Sequence, residues 1–235
     1  MTSPSPSPAV LRGRQAGAPG LHWRLDGAGG PTDPLLLALH GYGMDEDFFA
    51  VLLQKLFPQP VHVLLPRGPK PGDMGLRVAH GASWYDYDGD QTRFRRELER
   101  VEHELLAFLA EVEAEQGLAP RARYLLGFSQ GGYCGAWLAV RHPERFAGMI
   151  ISGARVKTEF LEDAMPAAAA RGFRALLCHG ERDHSVTLEA AVRSRDGLAA
   201  GGIPAELRVF DAGHSLGRKQ LAVIAEWLGL AIEDP

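Results

Sequence analysis

Six short apolar runs recur along this 235-residue chain: LLLAL (35–39), VHVLL (61–65), YLLGF (124–128), FAGMII (146–151), RALLCH (174–179) and ELRVF (206–210). Each has strand length and near-continuous apolarity, the reading expected of strands buried on both faces of a parallel sheet. Helical patterns lie between them. The clearest runs from about Gln91 to Gln116, where Phe94, Leu98, Val101, Leu105, Phe108 and Val112 recur every three or four residues as one apolar stripe. Weaker patterns cover 48–56, 131–142, 187–200 and 216–229. Strands alternating with helices predict an α/β fold, a mostly parallel, doubly wound sheet flanked by helices and joined by right-handed crossovers. LHWRL (21–25) is expected to add an outer antiparallel strand.

The totals narrow the class further. Apolar residues make up 46%, charged residues 23%, and the net charge is −4, which suits a globular domain and gives no reason to expect nucleic acid or an anionic membrane as partner. No stretch approaches the ~20 apolar residues of a membrane span. Met1 to about Gly20 opens with alternating Ser and Pro and is expected to be a disordered tail, with one domain over 21–235. Cys134 and Cys178 both sit in apolar settings and read as reduced core thiols, in keeping with a cytoplasmic protein.

Parallel sheets carry their chemistry in the loops that leave the carboxyl ends of the strands. Here those loops read HGYGMDED, PRGPKPGDMG, SQGG, SGARVK, GERDHSV and DAGHSLG, and they collect most of the Ser, His and Asp residues with suggestive neighbours. GFSQG is G-x-S-x-G between a strand and a helix, a context in which the serine stands on a sharp, strained turn with its hydroxyl above the sheet. Gly127 and Gly131 would remove collisions around that turn. A serine nucleophile needs a base and an acid to orient it, in the chain order Ser, Asp, His. Asp183 and His214, in the last two strand-end loops, fit that order after Ser129. Asp211 is the rival acid, three residues before His214, and is better placed to brace its turn. His184 points away from its neighbour Asp183, and His179 is expected to bond locally. His40-Gly41 follows the first buried strand, so the backbone N–H of Tyr42 can join that of Gln130 as an oxyanion hole. His40 itself reads as a core histidine holding this loop. No His, Cys or Asp spacing suggests a metal site, and no organic cofactor is implied.

In combination, LHGYGMDEDFF, LLPRGP, SWYDYD, LLGFSQGGYCGAW, CHGERDHSV and GHSL resemble the phospholipase/carboxylesterase family of α/β-hydrolases, over about residues 21–230. That resemblance implies an α/β-hydrolase fold and a carboxylesterase-type serine hydrolase acting on a small-molecule ester. It matches Ser129 to the nucleophile, Asp183 to the acid, His214 to the base, and the Tyr42 and Gln130 backbones to the oxyanion donors. Trp84 matches an aromatic lining the acyl site. The segment 152–173 is too short for a large lid domain, and Met74, Leu76 and Trp84 can wall only one side of a site open to water. The expectation is therefore hydrolysis of short to medium acyl esters. Lysophospholipase or acyl-thioesterase action is the nearest alternative, and a non-catalytic scaffold binding a small ligand is the alternative of another class. A homodimer is the candidate assembly.

Overall fold

Along LLLAL, side chains alternate between two apolar clusters: Leu35, Leu37 and Leu39 enter one, Leu36 and Ala38 the other. Period-two alternation with both faces buried is the signature of a central strand covered on each side. The computed structural model describes residues 9–27, 29–56, 60–73, 75 and 80–230. Its main sheet has eight strands: β1 (Ala9–Arg14), β2 (His22–Gly27), β3 (Leu35–Leu39), β4 (His62–Pro66), β5 (Arg123–Phe128), β6 (Gly148–Ser152), β7 (Arg174–Gly180) and β8 (Ala205–Phe210). They lie in the order β1-β2-β4-β3-β5-β6-β7-β8, parallel from β4 to β8 and antiparallel at β1 and β2. This is the α/β-hydrolase sheet.

The helices are α1 (Glu46–Leu53), α2 (Gln91–Gln116), α3 (Gln130–Arg141), α4 (Met165–Ala170), α5 (Leu188–Ala200) and α6 (Arg218–Leu228). α2 starts at Asp90, whose side chain accepts the Arg93 N–H at 2.9 Å, and stops at Gly117 in the left-handed region. Its stripe of Phe94, Leu98, Val101, Leu105, Phe108 and Val112 is buried with α3 against one face of the sheet. α1 and α6 cover the other face through Phe49, Leu53, Leu221 and Ile224. Between β6 and β7 the chain forms only a 3-10 turn at Thr158–Phe160 and the short α4, so among the described residues no large lid domain covers that end of the sheet. Among the described residues, no helix is long and apolar enough to cross a membrane.

Three expectations need correction. Residues 9–20 are not a tail: β1 pairs with β2 from Ala9 opposite Gly27 to Arg14 opposite His22, Gln15 is buried, and the Ala16 N–H donates to Glu111 of α2 at 2.5 Å. The backbone ladder and these polar contacts fix the segment, and neither leaves a hydrophobic pattern to read. Residues 1–8 lie outside the described residues. β2 is antiparallel to β4 as anticipated, yet β1 and not β2 is the outermost strand. ELRVF, expected to be buried on both faces, is instead the half-exposed edge strand β8. A small antiparallel ribbon, Lys70–Pro71 with Ala82–Ser83, joins β4 to α2 without a pattern that the sequence reading identified.

The β5–α3 junction is where glycine is sterically required. A Cβ on Gly127 would lie 2.5 Å from the Gly131 carbonyl oxygen and 2.6 Å from the Gly132 Cα, and one on Gly131 would collide with the Leu39 carbonyl of the neighbouring strand. Backbone atoms cannot rotate away as side chains do. Gly127→Ala is therefore expected to destabilise the protein by about 1–3 kcal/mol or more, read as a lower urea midpoint. Gly30→Ala, whose Cβ would meet nothing nearer than 3.8 Å, should cost far less. Equal midpoints for the two variants would refute the steric account.

Candidate active site

Ser129 follows the last residue of β5 and precedes the first of α3, with φ 51° and ψ −120°. It is the one non-glycine residue at positive φ among the described residues, a backbone state that costs on the order of 1–3 kcal/mol. Its N–H donates to the Ser152 carbonyl of β6 at 2.9 Å, and its own carbonyl accepts the Gly132 N–H at 2.8 Å. These bonds leave the side chain standing over the carboxyl end of the sheet.

Two other strand-end loops converge on it. His214, between β8 and α6, places Nε2 2.9 Å from the Ser129 hydroxyl and Nδ1 2.7 Å from Asp183 Oδ2. Asp183 follows β7. A carboxylate only accepts, so in the neutral ring Nδ1 carries the proton and Nε2 presents its lone pair to the serine. The Asp183 side chain is 1% exposed, and its other oxygen accepts the Ser185 and Val186 N–H groups, both at 2.9 Å. Burial alone would raise its pKa. The Val186 N–H and His214 outweigh burial and hold it below the ordinary carboxylate range. The structure thus brings Ser129, His214 and Asp183 into one hydrogen-bonded line, an arrangement able to deprotonate a hydroxyl as it attacks. Asp211 faces away and pairs with Arg182 at 2.5 Å. His184 is exposed, and His179 donates to the Val186 carbonyl at 2.7 Å, bracing the turn that serves Asp183.

The loop after β3 packs its backbone against the serine: a Cβ on Gly41 would sit 3.4 Å from the Ser129 Cβ. His40 is fully buried beneath it. Nδ1 lies 2.7 Å from the Gly41 carbonyl and Nε2 accepts the Gly68 N–H at 2.9 Å, so the partners demand a neutral ring protonated at Nδ1. The Gly41 carbonyl belongs to the same planar peptide as the Tyr42 N–H, and pinning the oxygen on one side aims the N–H to the other. The Ser129 carbonyl, pinned by Gly132, does the same for the Gln130 N–H.

A cavity of about 360 Å³ opens beside Ser129. Tyr85, Tyr87, Phe94 and Tyr133 form an aromatic wall, and Tyr42 stands at the rim, 39% exposed. Arg155 and Lys157, from the loop after β6, complete the lining with Ser185 and Val186. Trp84, expected in this lining, is not part of it. It is 1% exposed, donates from its indole nitrogen to the His40 carbonyl at 2.9 Å, and packs on the His40 ring. Its size and its one polar atom are both satisfied beneath the loop after β3, leaving nothing for the pocket. Met74 and Leu76 lie outside the described residues. No local pattern in SWYDYD or SGARVK marks Tyr85, Tyr87, Arg155 or Lys157 for a role, because only the folded loops turn them toward Ser129. Among the described residues, no group of three or more His, Cys, Asp or Glu side chains is placed to hold a metal ion.

A family model described as Phospholipase/Carboxylesterase matches residues 26–232. Probable carboxylesterase SOBER1-like from Arabidopsis thaliana is 28% identical over 123 residues, 49% of this chain and 45% of that protein. The chain therefore aligns with less than half the length of that curated relative. Among solved structures, esterase PE8 is similar over 95% of this chain and 97% of its own, with TM-score 0.72 and 26% identity. Acyl-protein thioesterase 2 from Zea mays is similar over 88% and 97%, with TM-score 0.71; at 18% identity this likeness concerns the fold.

Burial disfavours the charged ring and pushes the His40 pKa down to about 4. Between the ordinary histidine value of about 6.5 and that point, the unfolded chain binds a proton at His40 that the folded protein excludes. Stability must therefore fall as pH drops through this window, by about 3 kcal/mol at its lower end. Asp183, held ionised, adds loss of the same sign at still lower pH. Urea unfolding from neutral pH to about pH 4 checks this. Gln in place of His40 can still accept from Gly68 and should flatten the wild-type decline. Parallel curves for wild type and His40→Gln would place the titration elsewhere.

Proposed function

Because the chain belongs to the phospholipase/carboxylesterase family of α/β-hydrolases, we propose that it hydrolyses carboxylic esters of short to medium acyl chain through an acyl-serine intermediate. One observation carries the reading: Ser129, His214 and Asp183 come from three separate strand-end loops and meet within 2.9 and 2.7 Å. In this reading His214 Nε2 takes the proton as the Ser129 oxygen attacks the ester carbonyl. The resulting oxyanion receives the Tyr42 and Gln130 N–H groups. Asp183, ionised and acceptor-only, keeps the proton of His214 on Nδ1 and stabilises the imidazolium that forms. Collapse of the tetrahedral adduct expels the alcohol, which leaves with the proton from His214. Water, deprotonated by the same nitrogen, then attacks the acyl-serine, and the acid departs with Ser129 restored.

Chain length follows from the cavity. Each methylene that finds a wall adds about 0.8 kcal/mol, and a space of about 360 Å³ with no lid domain above it stops supplying wall early. A cytoplasmic setting accords with Cys134 and Cys178, both buried and unbridged.

Ser129→Ala should lower kcat/KM for a nitrophenyl ester by about 10⁴-fold or more with unchanged circular dichroism, and a fluorophosphonate should label wild type at Ser129 alone. Full activity in the variant, or labelling elsewhere, would remove the nucleophile assignment. An inert wild type that still binds ester would indicate a scaffold. Across nitrophenyl esters from acetate to palmitate, kcat/KM should climb and then level off at medium length. An optimum at palmitate would instead favour the lysophospholipase or acyl-thioesterase reading.

A further inference from the structure

The cavity beside Ser129 carries an unbalanced positive charge. Arg155 and Lys157 line it, and no carboxylate does among the described residues. Both cations turn to the same oxygen of one acid: Arg155 Nη2 lies 2.7 Å and Lys157 Nζ 2.9 Å from Glu159 Oε1. One carboxylate therefore serves two cations. The acids on the neighbouring loop have cations of their own, Asp86 with Lys70 at 2.7 Å and Asp88 with Arg93 at 2.6 Å.

Lys157 is the better placed of the pair. Its side chain is only 14% exposed, its ammonium lies 4.9 Å from the Phe160 ring centroid, and it donates to Gln91 Oε1 at 2.7 Å. With Gln91 and Glu159 occupying two of its three donors, one N–H has no partner among the described residues. Arg155 likewise spends one arm of its guanidinium fork on Glu159. Charge so withdrawn from water is screened less than charge on the open surface.

Resting on the ester-hydrolase reading above, we propose that the substrate is an ester bearing a second, free carboxylate, which Lys157 and Arg155 bind while the scissile bond lies at Ser129. The single excess positive charge matches a monoanion better than a dianionic phosphate. The aromatic wall would then hold the carbon segment between the two groups. The carboxylate can sit on the acyl or on the alcohol side, and the two arms of the experiment separate these.

The first arm compares mono-4-nitrophenyl glutarate with 4-nitrophenyl valerate, and the second compares 4-acetoxybenzoate with 4-acetoxytoluene. In one arm kcat/KM should favour the anionic ester by about tenfold or more, and the preference should shrink as salt rises from about 0.02 M to about 0.5 M. Lys157→Met should lower that anionic-to-neutral ratio by about tenfold, and Lys157→Arg should restore most of it. If wild type hydrolyses both members of each pair without such a preference, the inference falls and ester hydrolysis stands. A preference that grows with salt also overturns it, and needs no variant to fold. If no ester is hydrolysed, the functional reading fails by itself. Calorimetry with Ser129→Ala then decides: tighter binding of the glutarate ester than of the valerate, lost on adding Lys157→Met, upholds the inference, and equal or absent binding ends it.

Discussion

The left-handed backbone at Ser129 is the constraint on which the neighbouring elements depend, since a β-carbon there costs on the order of 1–3 kcal/mol in a fold whose whole stability is expected to be about 5–15 kcal/mol. It persists because its surroundings over-determine it. The Ser129 N–H is held by β6, its carbonyl by Gly132, and the first turn of α3 is pressed so close to β3 that Gly131 has no room for a side chain. Strand β3, strand β6 and helix α3 are thereby fixed together at one point. The order β4-β3-β5 explains why that point lies there. The chain reverses its direction of travel across the sheet between β3 and β5, so the loops leaving these two strands diverge and a crevice opens at their carboxyl ends.

Around this crevice, polar groups are joined in one continuous chain. His40 bonds to the Gly41 carbonyl and the Gly68 N–H, and Trp84 donates to the His40 carbonyl. The Gln130 side chain accepts the Trp84 N–H at 2.9 Å and donates to the Tyr85 carbonyl at 2.9 Å. The residue after Ser129 thus clasps the 83–85 segment, which supplies part of the aromatic wall. Buried networks of this kind are stable only when every member is satisfied. This explains why Trp84, large and apolar, serves beneath the loop and not in the cavity.

Charge is distributed with similar economy. Asp183 is almost inaccessible to water yet remains ionised, because backbone N–H groups and His214 replace the solvent it has lost. Beside Ser129 the chain places cations with incomplete compensation. The cavity is therefore polarised, with a shielded anion behind the imidazole and an unsatisfied positive charge beside the space a substrate would enter.

The sequence by itself determined the layered α/β architecture, since only apolar runs of strand length alternating with amphipathic helices bury both faces of a parallel sheet. It also singled out Ser129, Asp183 and His214, because G-x-S-x-G and the two later strand-end loops are local patterns. Tertiary structure alone decided what depends on distant pairing. The strand at Ala9–Arg14 exists through its ladder with His22–Gly27, and ELRVF became an edge because, among the described residues, no strand pairs with its outer side. Trp84 turned inward to a carbonyl 44 residues away, while Tyr85, Arg155 and Lys157 turned toward Ser129. A periodic pattern reports which face of an element is apolar. The direction of a single loop side chain is set by partners remote in sequence, and no local pattern encodes them.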